Sequence, residues 1–475
     1  MTMSVLAIDQ GTTSTRALCL HDGGRAQITH VVKHRQFYPQ SGWVEHDADE
    51  LIASIEACID ASPTVDAIGI DNQGESCLAW HADSKRPLTP VIVWQDNRTH
   101  AVIEALKAAG HEPRVLELAG LPLDSYFSAS KLAWILQNCG DAETLLRQGK
   151  LRMGTTDAYF LDRLAGRFVT DISTASRTSL LNLQTGSWDS ELCELFGVPV
   201  EALPEVVPTV GDLGAIKQRG RPVPVTASVV DQQASLYGHG CRQVGDAKIT
   251  FGTGAFALVV TGSELRRSPE QGLLPTVAWE ITPGAPVYAL DGGVYCAGSA
   301  IEWGRKLGLF SDYAEINGFD RAAAIERDLV FVPALSGLAC PHWDRSAAGL
   351  WIGMSLDTGR GDLMQALLEG VALRAAEVIH AMGAFASIGE RVSIDGGVSA
   401  NPYFCQFLAN VLGYRVSVNA MAELTALGTA ALAAGSGFDT AAAEAGRREY
   451  APVADMTAQL DRFRDAVNRS RGWKQ

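Results

Sequence analysis

The chain opens with a short apolar run, Leu6 to Ile8, that reads as a buried strand, and the apolar pattern resumes at Ala17 to Leu20. Between them lie Asp9, Gly11, Thr12, Thr13, Ser14 and Arg16, so a polar hairpin is held between two core strands. The turn His21-Asp22-Gly23-Gly24 leads into a third strand around Ala26 to Val32, completing an antiparallel meander. A helix is predicted from about Asp47, with Leu51, Ile52, Ile55 and Ile59 on one side and Glu50 three residues after the capping aspartate. Ala67 to Ile70 is a short strand that ends in a second aspartate, Asp71. Helical periodicity dominates from His100 through Leu164, with Gly110, Gly120 and Gly140 as stops. From Leu195 to Pro224 frequent prolines and glycines predict loops on the approach to a junction near residue 238.

After that junction the opening pattern returns. In AKITFGTGAFALVVTG, Ala247 to Gly262, a strand (Lys248 to Phe251) turns through Gly252-Thr253-Gly254 into a second strand (Phe256 to Val260). Two halves, each with its own Gly-Thr hairpin, predict a duplicated α/β fold whose hairpins face one another across a cleft. A further device lies at Arg391 to Leu412: a strand ending at Asp395, a Gly-Gly turn, and a helix capped by Asn401 with Pro402 as its first residue. Its apolar face is Tyr403, Phe404, Phe407, Leu408, Val411 and Leu412, and Gly413 ends it. Glycine backbone beside a helix N-terminus can receive an anion or lie flat against a nucleotide.

Length makes the two-part reading concrete, because 475 residues exceed the size at which one core stops growing. The domains expected are 1–238 and 239–475, flanking a cleft. A net charge of −15 argues against a general nucleic-acid or anionic-membrane binder, both of which need a basic face. Any bound phosphate must therefore be held by local devices. The nine cysteines are scattered singly through apolar stretches, which reads as reduced core thiols. With no basic-then-apolar leader and no long apolar run, a cytoplasmic enzyme is expected.

A γ-phosphate needs donors around its oxygens, a Mg²⁺ to neutralise charge, and a carboxylate that places the metal, usually through water. The first hairpin has that inventory: Asp9 for the metal, Gly11 for close approach, Thr12, Thr13 and Ser14 as donors, and Arg16 as a cation. Thr253 of the second hairpin would grip the same phosphates from the other side. On spacing alone each Gly-Thr turn could be an ordinary capped hairpin; the pairing of two favours the phosphate reading.

These stretches bring the chain close to a known family. It resembles the FGGY carbohydrate kinases, and within them the glycerol kinases, over nearly its whole length. The resemblance rests on DQGTTSTR from Asp9, GWVEHD from Gly42, VIVWQDNRT from Val91, YFSASKL from Tyr126, DISTASRTSLLNL from Asp171, VVDQQASLYG from Val229 and TFGTG from Thr250. It continues through AGSAIEW from Ala297, VFVPALSGLACPHWD from Val330, the stretch from Gly349 to Gly370, and IDGGVSAN from Ile394. It implies the duplicated actin-like (ribonuclease H-like) ATPase fold, ATP with Mg²⁺, and phosphorylation of a small polyol or sugar. Carried over, it assigns metal to Asp9, phosphate to Thr12, Thr13, Ser14, Arg16 and Thr253, and nucleotide to Gly298, Gly397 and Asn401. Asp231 becomes the catalytic base, and Glu75, Trp94, Tyr126, Asp231, Gln232 and Phe256 the polyol contacts. By residue pattern alone Asp231 reads as a helix cap and Trp94 as core. The resemblance also implies a homodimer or homotetramer.

Two positions depart from the family. Glycerol kinases place arginine before the glutamate of their NQRE motif, and here DNQGES has Gly74. Losing a charged donor costs about 1.5 to 3 kcal/mol if nothing replaces it. The smaller residue is expected to leave room for a four- or five-carbon polyol or ketose of the erythritol, xylulose or ribulose type, and Gly74→Arg to raise glycerol affinity. Glu302 stands where the family often has glutamine beside the nucleotide. Two other classes compete. Gly252 to Ala257 fits a loose dinucleotide pattern, but that pattern must open a helix and Phe256 to Val260 reads as strand. A non-catalytic sensor on the same fold could lose Asp231, and its presence together with Asp9 favours an enzyme. No P-loop occurs, and His30 and His34 in strand texture would sit about 13 Å apart, too far to share a metal.

Overall fold

The computed structural model describes residues 3–21, 24–267, 272–435 and 446–474. The predicted first hairpin forms: Ser4–Gln10 pairs antiparallel with Ser14–His21, in a register that sets Asp9 opposite Arg16 and Gln10 opposite Thr15. Arg25–Lys33 completes the meander, while Asp22 and Gly23 of the turn lie outside the described residues. Ser4–Gln10 then pairs in parallel with Ala67–Asn72, which pairs in parallel with Arg221–Val230. An edge strand, Ala215–Gln218, closes the sheet.

The second sheet repeats this order. Ala247–Phe251 pairs antiparallel with Ala255–Gly262, which pairs antiparallel with Val287–Val294. On its other side Ala247–Phe251 runs parallel to Arg391–Asp395, and that strand to Arg415–Val418. Each sheet is thus a three-stranded meander extended by two parallel strands in the same sequence order, which is a duplicated architecture. Both hairpins sit at the same end of their central strands, where such sheets present ligand loops.

Two helices exchange between the sheets. Asp231–Gly238 follows the last parallel strand of the first sheet, yet its Leu236 packs with Leu258, Val260 and Trp279 of the second. Leu424–Ala434 follows the last parallel strand of the second sheet, yet Leu424, Leu427 and Ala430 pack with Val5, Ala7, Leu18 and Val229 of the first. They cross in near backbone contact. A Cβ at Gly238 would lie 1.8 Å from the Leu424 carbonyl oxygen, and one at Gly428 would lie 1.8 Å from that of Ala234. Only glycine permits that approach.

Other local expectations hold or fail for physical reasons. The helix Ala48–Ala61 starts at Asp47, whose side chain accepts from the Asp49 and Glu50 amides. Asn401 caps Pro402–Leu412 by accepting from the Phe404 amide, and Gly413 ends the helix in the left-handed region at φ 71°. The helical reading of His100 to Leu164 is interrupted by a strand, Leu151–Thr155, which pairs with Cys77–His81. Its five residues are mostly buried, and a short apolar run does not separate strand from helix by periodicity. Pro222 and Pro224 are not in a loop either. They lie in Arg221–Val230 opposite Lys217 and Ala215, before its pairing with Ala67–Asn72 begins, where a missing N–H costs no bond to that strand. The cysteines are free thiols, and among the described residues no helix is long and apolar enough to cross a membrane.

Candidate active site

Asp9 closes the first central strand beside Asp71, its partner in the neighbouring parallel strand. Arg16 donates to Asp9 Oδ2 at 3.2 Å and also reaches Glu423, just ahead of the crossing helix, at 3.4 Å. Burial raises the Asp9 carboxyl above its ordinary range, opposed by Arg16. Asp71 is fully buried and is pushed up further by burial and by the charge of Asp9. Its Oδ2 accepts from Thr429 of the crossing helix at 2.6 Å, while Oδ1 has no hydrogen-bond partner.

Gly11 donates to the Ser14 carbonyl at 3.1 Å, while Ser14 is buried and Thr13 is exposed. A Cβ at Gly11 would make only ordinary contacts, the nearest at 3.5 Å, so the protein's own packing does not demand glycine there. Thr12 Oγ1 accepts from Trp94 Nε1 at 3.1 Å. Trp94 is half-buried rather than core, and its ring meets that of Tyr126 edge-on at 5.6 Å.

The second hairpin is gripped from two sides. The amides of Ala297 and Ser299 and the Ser299 hydroxyl all donate to the Thr253 carbonyl, and Gly298 donates to that of Gly252 at 2.9 Å. A Cβ at Gly298 would lie 2.5 Å from the Gly252 oxygen, and one at Gly396, where φ is +88°, would lie 2.2 Å from that of Phe251. Gly397 has nothing within 4 Å of where its Cβ would be. Glycines thus serve hairpin packing at 298 and 396, whereas 397 is open toward solvent. The Asn401 side chain is buried, with its Oδ1 on the Phe404 amide and its Nδ2 on the Ile316 carbonyl. Glu302 is half-buried and pairs with Arg305 at 2.8 Å and with the Tyr313 hydroxyl.

Asp231 is the first residue of its helix rather than the residue before it. Its Oδ1 accepts from the Gln232 amide at 2.7 Å. Burial, then the charges of Glu75 and Asp9, push its carboxyl up to about 7, with Lys248 pulling the other way. Lys248, on the strand that leads into the second hairpin, is fully buried and donates to Gln232 Oε1 at 2.7 Å and to Thr250 Oγ1 at 3.0 Å. That contact fixes the amide of Gln232 with its NH₂ directed away from the lysine. Residues from both hairpin strands therefore act on one carboxylate.

Glu75 is buried in the left-handed region at φ 59°, a conformation that costs a side-chain-bearing residue of order 1 kcal/mol or more. Arg177 donates to its Oε1 at 2.7 Å and lies 3.1 Å from Asp291, which comes from the second sheet. Burial raises the Tyr126 hydroxyl well above its usual range, as do the charges of Glu75, Asp291 and Asp231. Phe256 is half-buried over Gly293. The structure brings Asp9, Glu75, Tyr126, Asp231 and Gln232 near one another and places Asp71, Arg177, Lys248 and Asp291 beside them, residues to which sequence reading gave no site role. A lysine inside the apolar strand AKITF was the one available signal for Lys248.

Gly74 differs from expectation. A Cβ there would lie 2.7 Å from Val230 Cγ2, so the missing side chain leaves no open volume beside it. Val230 fills that space, and it directly precedes Asp231.

Among the described residues, no three Asp, Glu, His or Cys side chains converge closely enough to cage a metal ion. The raised carboxyl of Asp9, beside a second carboxyl with an orphaned oxygen, nevertheless fits a hydrated Mg²⁺ held largely through water and phosphate.

Comparison with known proteins agrees with this geometry. Residues 4–238 match the N-terminal domain of the FGGY family of carbohydrate kinases, and residues 247–436 match its C-terminal domain. A glycerol kinase of Haloferax volcanii is 38% identical, with 98% of each chain covered, and one of Thermus brockianus is 40% identical, with 99% of each covered. Among solved structures, a Plasmodium falciparum glycerol kinase with ADP superposes with a TM-score of 0.91 at 28% identity, covering 99% of this chain and 98% of that one. A gluconate kinase from Lactobacillus acidophilus, 20% identical, shares the fold with a TM-score of 0.86, covering 99% of this chain and 97% of its own. With both family domains matched and two sheets that repeat one strand order, as in the actin-like ATPase fold, the chain belongs to the FGGY family of carbohydrate kinases.

Proposed function

We propose that this kinase transfers the γ-phosphate of ATP to a hydroxyl of glycerol or a similarly small polyol, with Asp231 as base. The observation that carries the reading is the setting of Asp231. Its carboxyl is held near neutrality by burial and by Glu75 and Asp9, and one of its oxygens is already engaged by Gln232. An alcohol is a weak nucleophile, and a carboxylate beside the attacking hydroxyl aims it and takes its proton late in a loose transition state. Oδ1 is committed to the helix amide, so Oδ2 is the oxygen assigned to that proton.

The remaining roles follow from chemistry. Glu75 accepts from a polyol hydroxyl, the NH₂ of Gln232 donates to one, and Trp94, Tyr126 and Phe256 cover C–H edges. Thr12, Thr13, Ser14 and Arg16 on one side and Thr253 on the other hold the phosphates. Gly298, Gly397 and the backbone beside Asn401 receive the nucleoside. Asp9 would hold Mg²⁺ through water, and the ion would supply charge neutralisation to the phosphates. Residues 1–238 and 239–475 act as lobes that close over both substrates, which keeps water from the phosphoryl donor. Free thiols throughout the chain and the use of ATP support a cytoplasmic setting.

Glycerol is preferred to four- and five-carbon substrates because Val230 occupies the space beside Gly74. The test is polyol-dependent ADP release with Mg²⁺ATP across neutral polyols and ketoses of three to six carbons. Glycerol is expected to give the highest kcat/KM, and a clear preference for a longer substrate overturns that assignment.

A further inference from the structure

The strand between those that lead to Asp9 and Asp231 ends near an aspartate that the proposed chemistry does not use. Asp71 pairs in register with Asp9 on one side and with Val229, two residues before Asp231, on the other. It is fully buried, and the charges of both Asp9 and Asp231 act on it. Its Oδ2 accepts from the Thr429 hydroxyl at 2.6 Å, and its Oδ1 has no donor. Thr429 belongs to the crossing helix Leu424–Ala434, so the donor arrives from the second half of the chain.

Packing sets that contact. Gly69 and Asp71 are two residues apart on one strand and therefore address the same face of the sheet. A Cβ at Gly69 would lie 2.9 Å from the Thr429 carbonyl oxygen and 2.9 Å from Ala433 Cβ, so the helix rests directly on the strand. The same helix reaches Asp9 by a second route. Glu423, the residue before the helix, lies 3.4 Å from Arg16 Nη1, and that nitrogen donates to Asp9 Oδ2 at 3.2 Å. One element of the second half thus holds both Asp71 and Arg16, the two groups on either side of Asp9.

We infer that Asp71 is a positioning residue for the divalent ion, acting behind Asp9, and that Thr429 aims it from the crossing helix. The inference rests on the reading above only in so far as Asp9 holds a hydrated ion. Two adjacent buried carboxylates repel each other, and a divalent cation beside them relieves that repulsion, so its affinity depends on both charges. The single proton of the Thr429 hydroxyl has the Thr425 carbonyl, at 3.2 Å, as its other acceptor; the shorter bond to Asp71 commits Oδ2 and leaves Oδ1 uncommitted. A contact that served packing alone would be met as well by asparagine at 71, which keeps an acceptor for Thr429 and offers Asp9 an NH₂ in place of a charge.

Mn²⁺ binding to the purified enzyme with ADP, followed by electron paramagnetic resonance, tests this beside glycerol-dependent ADP release. Asp71→Asn is expected to fold with an unchanged or higher Tm and to weaken Mn²⁺ binding about 10- to 100-fold. Thr429→Val is expected to weaken it about 3- to 10-fold, while Thr429→Ser, which keeps the hydroxyl, stays within about twofold of the wild type. Folded Asp71→Asn with wild-type Mn²⁺ affinity overturns the inference. So does equal Mn²⁺ affinity in Thr429→Val and Thr429→Ser, a comparison that decides the matter even where Asp71→Asn does not fold. If Mn²⁺ binding depends on Asp71 and Thr429 as expected but no polyol elicits ADP release, the kinase reading fails and the role of Asp71 stands. If ADP release is polyol-dependent and Mn²⁺ affinity ignores these variants, the role of Asp71 fails and the kinase reading stands.

Discussion

At the scale of single residues the account turns on buried carboxylates. Asp231 sits at about 7 against an ordinary 3.8, so the folded protein holds its proton more tightly than the unfolded chain does. Its contribution to stability is therefore full below the ordinary carboxylate range and is lost as pH rises through about 7. Asp231→Asn is expected to lower kcat by about 10² to 10⁴. The same change is expected to raise stability at pH 8 by about 1 to 3 kcal/mol, and denaturant titration beside an activity assay checks both signs. In its proposed role as base Asp231 must be ionised, so kcat/KM for the polyol is expected to fall on the acid side of about 7, and a profile flat down to pH 5 would remove Asp231 from that role. Position 74 gives a second contrast. By sequence, Gly74→Arg restores a family cation and raises glycerol affinity. With Val230 2.7 Å from the would-be Cβ, the prediction reverses: even Gly74→Ala is expected to displace Val230 and Asp231 and to reduce kcat severalfold.

At the scale of elements, the hairpins and caps were legible because their signals are local. Asp47, Asn401 and Gly413 announce helix ends within a few residues, and the Gly-Thr turns stand between apolar runs. Leu151–Thr155 was not legible, since its strand character comes from pairing with Cys77–His81 about seventy residues earlier. Arg177, Asp291 and Asp71 escaped for the same reason: each gains its meaning from a partner on another element. The exchange of the two crossing helices is likewise a long-range fact, hidden in Gly238 and Gly428. Gly428→Ala is expected to force the helices apart and destabilise the protein by about 1 to 3 kcal/mol. Calorimetry would detect this as a lower Tm, and an unchanged Tm would mean that the crossing is loosely packed.

At the scale of the whole molecule, duplication places a Gly-Thr hairpin on each sheet, and the exchanged helices run between the two. Charges from both halves converge on Asp231: Asp9 and Glu75 from the first, Lys248 from the second. The proposed closure of residues 1–238 and 239–475 over both substrates predicts a smaller radius of gyration in solution scattering when glycerol and a non-hydrolysable ATP analogue are both bound. The most direct test of the central claim is ADP release by the purified protein and by Asp231→Asn, with Mg²⁺ATP, with and without glycerol. The account predicts glycerol-dependent release by the wild type and its loss in a variant that still binds ATP; release independent of glycerol, or full turnover in Asp231→Asn, would contradict it.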